Sequence, residues 1–198
     1  YNRDVQKTVA LPEKLKDFAK RLPLLSMMNV KYVYSLYLLD APAFPLVSTI
    51  SVQAGENTLP VYLYENKKVL PRVYVATRPE FFTGSTNEVL SRMLTIQDFS
   101  KRTLIECGDC VNIVSSGSIT IEDYKPGDVS FSVNSSSGAW VVLGESYLPG
   151  WVATIDGKDT EIYTANYLFQ AIHVPSGEHH VSFVYHDVTM LQLGTLFK

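Results

Sequence analysis

The stretch from Val141 to Val184 carries four turns whose chemistry leaves the backbone few choices, and they decide what this chain can fold into. In Pro149-Gly150 the proline presets φ for the first corner, and the glycine takes the positive-φ corner without a Cβ clash. Asp156-Gly157 is a two-residue hairpin signal of the strongest kind. Thr164-Ala165-Asn166 and Pro175-Ser176-Gly177-Glu178 make the other two. Between these corners the residues read as four or five short strands. Val141 to Leu143 continues an apolar run from Ala139 and Trp140, which suits a strand buried on both faces. Trp151, Ala153 and Ile155 alternate with Val152 and Thr154, and Lys158 to Tyr163 is the expected hairpin partner. Leu168 to Val174 makes the next strand, and His180 to Tyr185 alternates Val181, Phe183 and Tyr185 against Ser182, Val184 and His186. Strands so closely spaced, with turns between them, indicate an antiparallel sandwich.

The pattern is purely β from Thr103 onward. Leu104 to Cys107, Val111 to Ser115, Ser118 to Tyr124 and Asp128 to Asn134 add strands, so the second half supplies about eight or nine, the complement of a sandwich. The first hundred residues mix periods. A helix opens at Leu11-Pro12-Glu13 with Leu11, Leu15, Phe18, Ala19 and Leu22 on one face, and Pro23 is expected to break it. Leu24 to Met28 reads as one more short turn, with its Leu-Leu-Ser-Met-Met run as core, followed by a strand from Val30 to Leu36 and a loop from Asp40 to Pro45. Val47 to Gln53 and Pro60 to Glu65 form a hairpin around Ala54-Gly55-Glu56-Asn57, and Arg72 to Ala76 is another strand. Ser85 or Thr86 caps a second helix with Val89, Leu90, Met93 and Leu94 facing inward and Glu88 in the first turn. The expected fold is therefore mainly β. A small α+β lobe covers residues 1–100, a jelly-roll or Ig-like β-sandwich covers 101–188, and an apolar tail at 189–198 leads toward a removed transmembrane helix.

Composition excludes several functions. A net charge of −3 with no Lys/Arg stripe offers nothing to a nucleic acid. No run of 18 apolar residues occurs, and the polar opening Tyr1-Asn2-Arg3-Asp4 has no leader pattern, so the expectation is an excised piece of a longer protein. Nucleophile-elbow, phosphate-loop, His-Glu-x-x-His and EF-hand spacings are all missing, so no catalytic residues, no cofactor site and no metal set are assigned. The acids Glu106, Asp109, Glu122, Asp123, Asp156 and Asp159 sit in or beside turns, where bonding to the backbone accounts for them. Cys107 and Cys110 have three competing readings: a redox dithiol, half of a zinc site, or a local disulfide bracing a turn. Tyr147, Trp151 and Tyr167, with Asn166 beside them, are candidate glycan contacts, since aromatic faces stack on pyranose C–H surfaces; Trp151 is equally placed to plug the end of the sandwich. Asn66 and Arg72 are candidates for polar contacts between lobe and sandwich.

Taken in order, Ser146-Tyr147, Pro149-Gly150-Trp151, Asp156-Gly157-Lys158, Ala165-Asn166-Tyr167 and Pro175-x-Gly177-Glu178-His179 resemble the C-terminal extracytoplasmic region of YfhO-type bacterial membrane proteins. Asn29-Val30-Lys31-Tyr32-Val33, Tyr64-Glu65-Asn66 and Leu70-Pro71-Arg72 extend the resemblance upstream. The sequence departs from the pattern at Gln170, where a basic residue is usual, and at His186-Asp187, which replace a proline. The resemblance implies a multi-pass membrane protein related to lipid-linked glycosyltransferases, acting in cell-envelope or lipoteichoic-acid glycosylation. It implies that this segment is an outer domain at the cell membrane that packs against the membrane part of its own parent chain and shapes acceptor access without being catalytic itself. A carbohydrate-binding sandwich module is the alternative.

Overall fold

The computed structural model describes residues 18–39, 42–110 and 114–187. The expected helix start at Leu11, the first three residues of the strand expected at Val111 to Ser115, and the tail at 189–198 lie outside the described residues. The chain divides into two compact units, Tyr1–Leu70 and Pro71–Lys198.

In the first unit, helix α1 (Phe18–Met27) precedes strands β1 (Tyr32–Ser35), β2 (Leu46–Ala54) and β3 (Asn57–Glu65), which form an antiparallel sheet in the order β1-β3-β2. Pro23 does not end the helix; α1 runs through it to Met27. A proline costs a helix one N–H bond and crowds the carbonyl four residues back, but here the helix continues past it and the stop lies further on. Asn29 takes φ 58°, its N–H donates to Ser26 O at 3.2 Å, and Val30 N–H donates to Leu25 O at 2.9 Å, the paired bonds of a Schellman ending. Leu22, Phe44 and Tyr64 make the core, with Phe18, Leu25, Val33 and Tyr62 packed on it.

The second unit contains β4 (Val73–Val75), β5 (Pro79–Phe82), α2 (Thr86–Met93), β6 (Thr103–Glu106), β7 (Ser118–Lys125), β8 (Asp128–Ser135), β9 (Ala139–Leu143), β10 (Trp151–Ile155), β11 (Lys158–Thr160), β12 (Tyr163–Ala165), β13 (Phe169–Val174) and β14 (Gly177–Tyr185). One sheet has the order β11-β10-β14-β8-β7 and the other β4-β9-β13-β12-β6-β5. A single buried cluster draws Val129, Phe131 and Val133 from β8 and Val181 and Phe183 from β14, and meets them with Val141 and Leu143 from β9 and Ile172 and Val174 from β13. Two sheets sharing one core make the expected sandwich, and from Thr103 onward the described strands number nine, β6 to β14. All pairings are antiparallel except β5 with β6, which is parallel.

The boundary between units falls at Leu70/Pro71 rather than near residue 100. The reason is pairing: β4 adds to β9 and β5 adds to β6, so the segment read as lobe completes a sheet of the sandwich. Strand β5 is missing from the sequence expectation because Pro79 demotes a short run to non-strand, yet a sheet edge tolerates it. Lys158 to Tyr163 is not one strand. The chain leaves the first sheet after Thr160 and enters the second at Tyr163. In α2, Val89 and Met93 are buried as expected, but Leu90 and Leu94 are exposed, because eight residues of helix present only one narrow stripe to the core. Val114 and Ser115 are not in a strand.

Candidate functional site

The candidate glycan residues gather around two turns. In the loop from Gly144 to Gly150, Tyr147 N–H donates to Leu168 O at 2.8 Å, which ties that loop to the turn between β12 and β13. Pro149-Gly150 needs its glycine: Gly150 has φ 111°, and a Cβ there would meet His186 O at 2.3 Å. At the other turn Leu168 N–H donates to Ala165 O at 3.2 Å, with Asn166 at φ 47° and Tyr167 at φ 70°. Two consecutive positive φ values define a type I′ turn, whose second corner ordinarily takes glycine. Here it carries a tyrosine, in a conformation that costs a bulky residue about 1–2 kcal/mol. Tyr147, Leu148, Tyr167 and Leu168 all show large exposed fractions, and together they give this end of the sandwich an aromatic and aliphatic rim.

Trp151 and Asn166 do something else. The indole of Trp151 lies 5.5 Å from the Tyr185 ring and 6.5 Å from Phe183, packed against the core. Asn166 is fully buried. Its Oδ1 accepts the Leu104 N–H at 3.0 Å, its own N–H donates to Leu104 O at 2.8 Å, and its Nδ2 donates to the Tyr74 hydroxyl at 3.2 Å. What Asn166 supplies is the footing of the turn that lifts Tyr167 into solvent. Burial pushes the Tyr74 phenol up to about 12, so the hydroxyl stays neutral.

The two candidates for polar bridging are each bonded inside their own unit. Asn66 Nδ2 donates to Val30 O at 2.9 Å and to Ser26 Oγ at 3.0 Å, and its Oδ1 accepts Lys68 N–H at 2.9 Å. Arg72 Nη1 donates to Tyr124 Oη at 3.0 Å and to Glu145 Oε1 at 2.9 Å, and its guanidinium lies 5.4 Å from the centre of the Tyr124 ring. Tyr124 Oη also donates to Glu145 Oε1. These three side chains clip edge strand β4 of one sheet to edge strand β7 of the other.

Cys107 and Cys110 form a disulfide with Cα atoms 5.6 Å apart. Asp109 lies beside the sulfurs, but those sulfurs are bonded to each other and not available as thiolate ligands. Sequence reasoning singled out Gln170 only as a departure from the family pattern and did not place it in the core. It is fully buried, lies on the interior-facing side of β13 with Ile172 and Val174, and neither Oε1 nor Nε2 has a protein hydrogen-bond partner. The signal available was a polar residue at an alternating apolar position.

His179 and Asp156 tie the β10–β11 hairpin turn to the start of β14. His179 Nδ1 lies 2.7 Å from Asp156 Oδ2, and Asp156 Oδ1 accepts the His180 N–H at 2.9 Å. The bond to Asp156, then the contact with Ser176 O, raises the His179 pKa above its ordinary 6.5. The bonds from His179 and from the His180 backbone lower the Asp156 pKa below its ordinary 3.8. The raised histidine contributes stability that is complete below its unfolded pKa and lost as pH rises through its folded value. The lowered aspartate contributes stability that is present above its unfolded pKa and lost as pH falls through its folded value. The tie is therefore strongest in the window between the two ordinary values. An NMR titration should place His179 above the free imidazole range, and Asp156→Asn should bring it back down; an unmoved titration in that variant would show that Asp156 is not the cause.

The second unit is thus a β-sandwich with a strained aromatic turn at one end, and the first a small α+β unit. Residues 100–197 match the family model described as bacterial membrane protein YfhO, and through them the chain belongs to that family, as its turn motifs imply. No curated protein and no solved structure matches the chain. Among the described residues no helix is long and apolar enough to cross a membrane.

Proposed function

We propose that this chain is the extracytoplasmic domain of a YfhO-type polytopic membrane protein that takes part in cell-envelope glycosylation of the lipoteichoic-acid type. It packs against the membrane part of its own parent chain and shapes how acceptor reaches the enzyme, without turning over substrate itself. Family membership supports the membrane setting. The observation that carries the non-catalytic role is where the carboxylates are spent. Glu80 pairs with Arg92 and Arg102, Glu145 with Arg72 and Tyr124, Glu122 with His180 and Ser132, and Asp156 with His179. Each of these acids fastens one element to another.

A second reading, a carbohydrate-binding module, is favoured by Tyr167, an exposed tyrosine held at φ 70° in the turn to which the Tyr147 N–H bonds through Leu168 O. One preparation tests both readings. Incubated with polyprenyl-phosphate sugar and acceptor, the chain is expected to give no turnover, and measured turnover would overturn the scaffold role. Calorimetry against envelope glycans should show no affinity for a pure scaffold. Affinity lost by at least about tenfold in Tyr167→Gly, alongside a gain of about 1 kcal/mol in stability, would establish the module instead.

A further inference from the structure

Among the described residues, helix α1 packs on one face of the first unit's sheet. Tyr62 and Tyr64 of β3, with Val33 of β1, point into the core on the helix side. Side chains alternate along a strand, and directly paired residues share a face. The opposite face therefore carries Leu59, Val61 and Leu63 from β3, Ile50 and Val52 from β2, and Tyr34 from β1, through the pairs Ile50 with Val61, Val52 with Leu59 and Tyr34 with Leu63. Every residue of β2 is exposed, and Tyr34 is 66% exposed. The one charged side chain on that face is Glu65, at its margin, paired with Lys67.

Three other sheet edges among the described residues carry charge or proline, while the short edges β1 and β4 have only four and three residues to expose. Strand β7 carries Glu122, Asp123 and Lys125, β11 carries Lys158 and Asp159, and β5 carries Pro79 and Glu80. Strand β2 has nine residues and neither charge nor proline. An uncharged face of this kind is a contact surface. Charge indicates what it contacts. Residues 1–70 hold nine Lys/Arg and six Asp/Glu, a net +3, while residues 71–198 hold eight and fourteen, a net −6. Two copies meeting through this face would bring two basic units together, whereas an anionic surface attracts them.

We propose that this face lies flat on the surface of an anionic bilayer. Ile50, Val52, Leu59, Val61 and Leu63 enter the boundary between headgroups and acyl chains. Tyr34 sits at headgroup depth, where an amphipathic ring is favoured, and Lys68 just beyond the end of β3 meets lipid phosphates. Lying flat keeps the open edge of β2 at a depth where water still reaches its N–H and C=O groups, as an edge cannot be left unpaired in hydrocarbon. This placement does not depend on a glycosylation role.

The test is flotation of the 198-residue chain with phosphatidylglycerol-containing vesicles and with pure phosphatidylcholine vesicles. The chain is expected to float with the anionic vesicles and to be released by salt. Ile50→Thr/Val52→Thr/Leu59→Thr keeps strand-forming residues and should cut the bound fraction by at least about tenfold. Thr49→Ser/Ser51→Thr, on the face of β2 that Tyr62 shares, should leave it unchanged. Ile50→Ser alone serves if circular dichroism shows the triple variant unfolded, and is expected to weaken binding in the same direction. No flotation with either vesicle, or flotation indifferent to the triple variant, overturns the proposal. So does a dimer by sedimentation equilibrium that the triple variant dissolves without any vesicle binding, since a second copy would then be the occupant.

Discussion

Asn166→Ala is expected to destabilise the sandwich unit by about 3–5 kcal/mol, measured as a fall in urea midpoint at unchanged slope. Three losses act on one residue. The N–H of Leu104, a residue with no exposed surface, loses the Oδ1 that accepts it at 3.0 Å. The Tyr74 hydroxyl loses the Nδ2 donor at 3.2 Å and keeps only its bond to Thr103, in a site buried enough to push its pKa to about 12. Each orphaned buried group costs about 1–3 kcal/mol. Alanine must also take φ 47°, where its Cβ crowds the following carbonyl at about 1 kcal/mol or more. Asn166→Gly separates the terms: it restores the backbone freedom but not the hydrogen bonds, and should recover about 1 kcal/mol of the loss. A cost under about 1 kcal/mol for the alanine variant would mean that β6 and the turn before β13 hold together without this side chain.

The parts of the fold that were legible are those set by local chemistry. Pro149-Gly150 and Asp156-Gly157 fix φ at their own corners, so the strands on either side could be read directly, and alternation in β8 and β14 named the inner faces. What was not legible depends on partners distant in sequence. Nothing in Lys158 to Tyr163 says that Thr160 stays in one sheet while Tyr163 joins the other; that follows from which neighbour has a free edge. For the same reason Arg72 to Phe82 read as part of a lobe although β4 and β5 pair within the sandwich. In the candidate site the aromatic rim could be read from residue type, but the division of labour could not. Asn166 looks like any turn asparagine until its side chain is seen to be fully buried, and Tyr167 looks like an ordinary surface tyrosine until its φ of 70° is known. Gln170 is the reverse case, a polar residue whose burial only its place in an apolar strand signals.

Phe183→Ala should cost about as much as the loss of Asn166, about 3–5 kcal/mol, and its comparison with Trp151→Ala decides what the tryptophan is for. Phe183 has no exposed surface; its ring stacks 6.2 Å from Phe131 across the β8–β14 pair and meets Trp151 edge-on at 6.5 Å. Removing it empties the centre of the core, where neighbours on both sheets are fixed by their ladders and collapse little, so the cavity term adds to the transfer term. Trp151 is partly exposed at the first residue of β10, where the surrounding loop can settle into the gap. If Trp151 only plugs the sandwich end, Trp151→Ala should destabilise by less, about 2 kcal/mol, and the pair should couple, the double variant costing less than the two singles added together. If Trp151 instead serves a ligand, its removal should leave stability within about 0.5 kcal/mol while any glycan affinity falls. Ring distances of 5.5 Å to Tyr185 and 6.5 Å to Phe183 favour the first outcome, because a residue reserved for ligand keeps its face free of such neighbours.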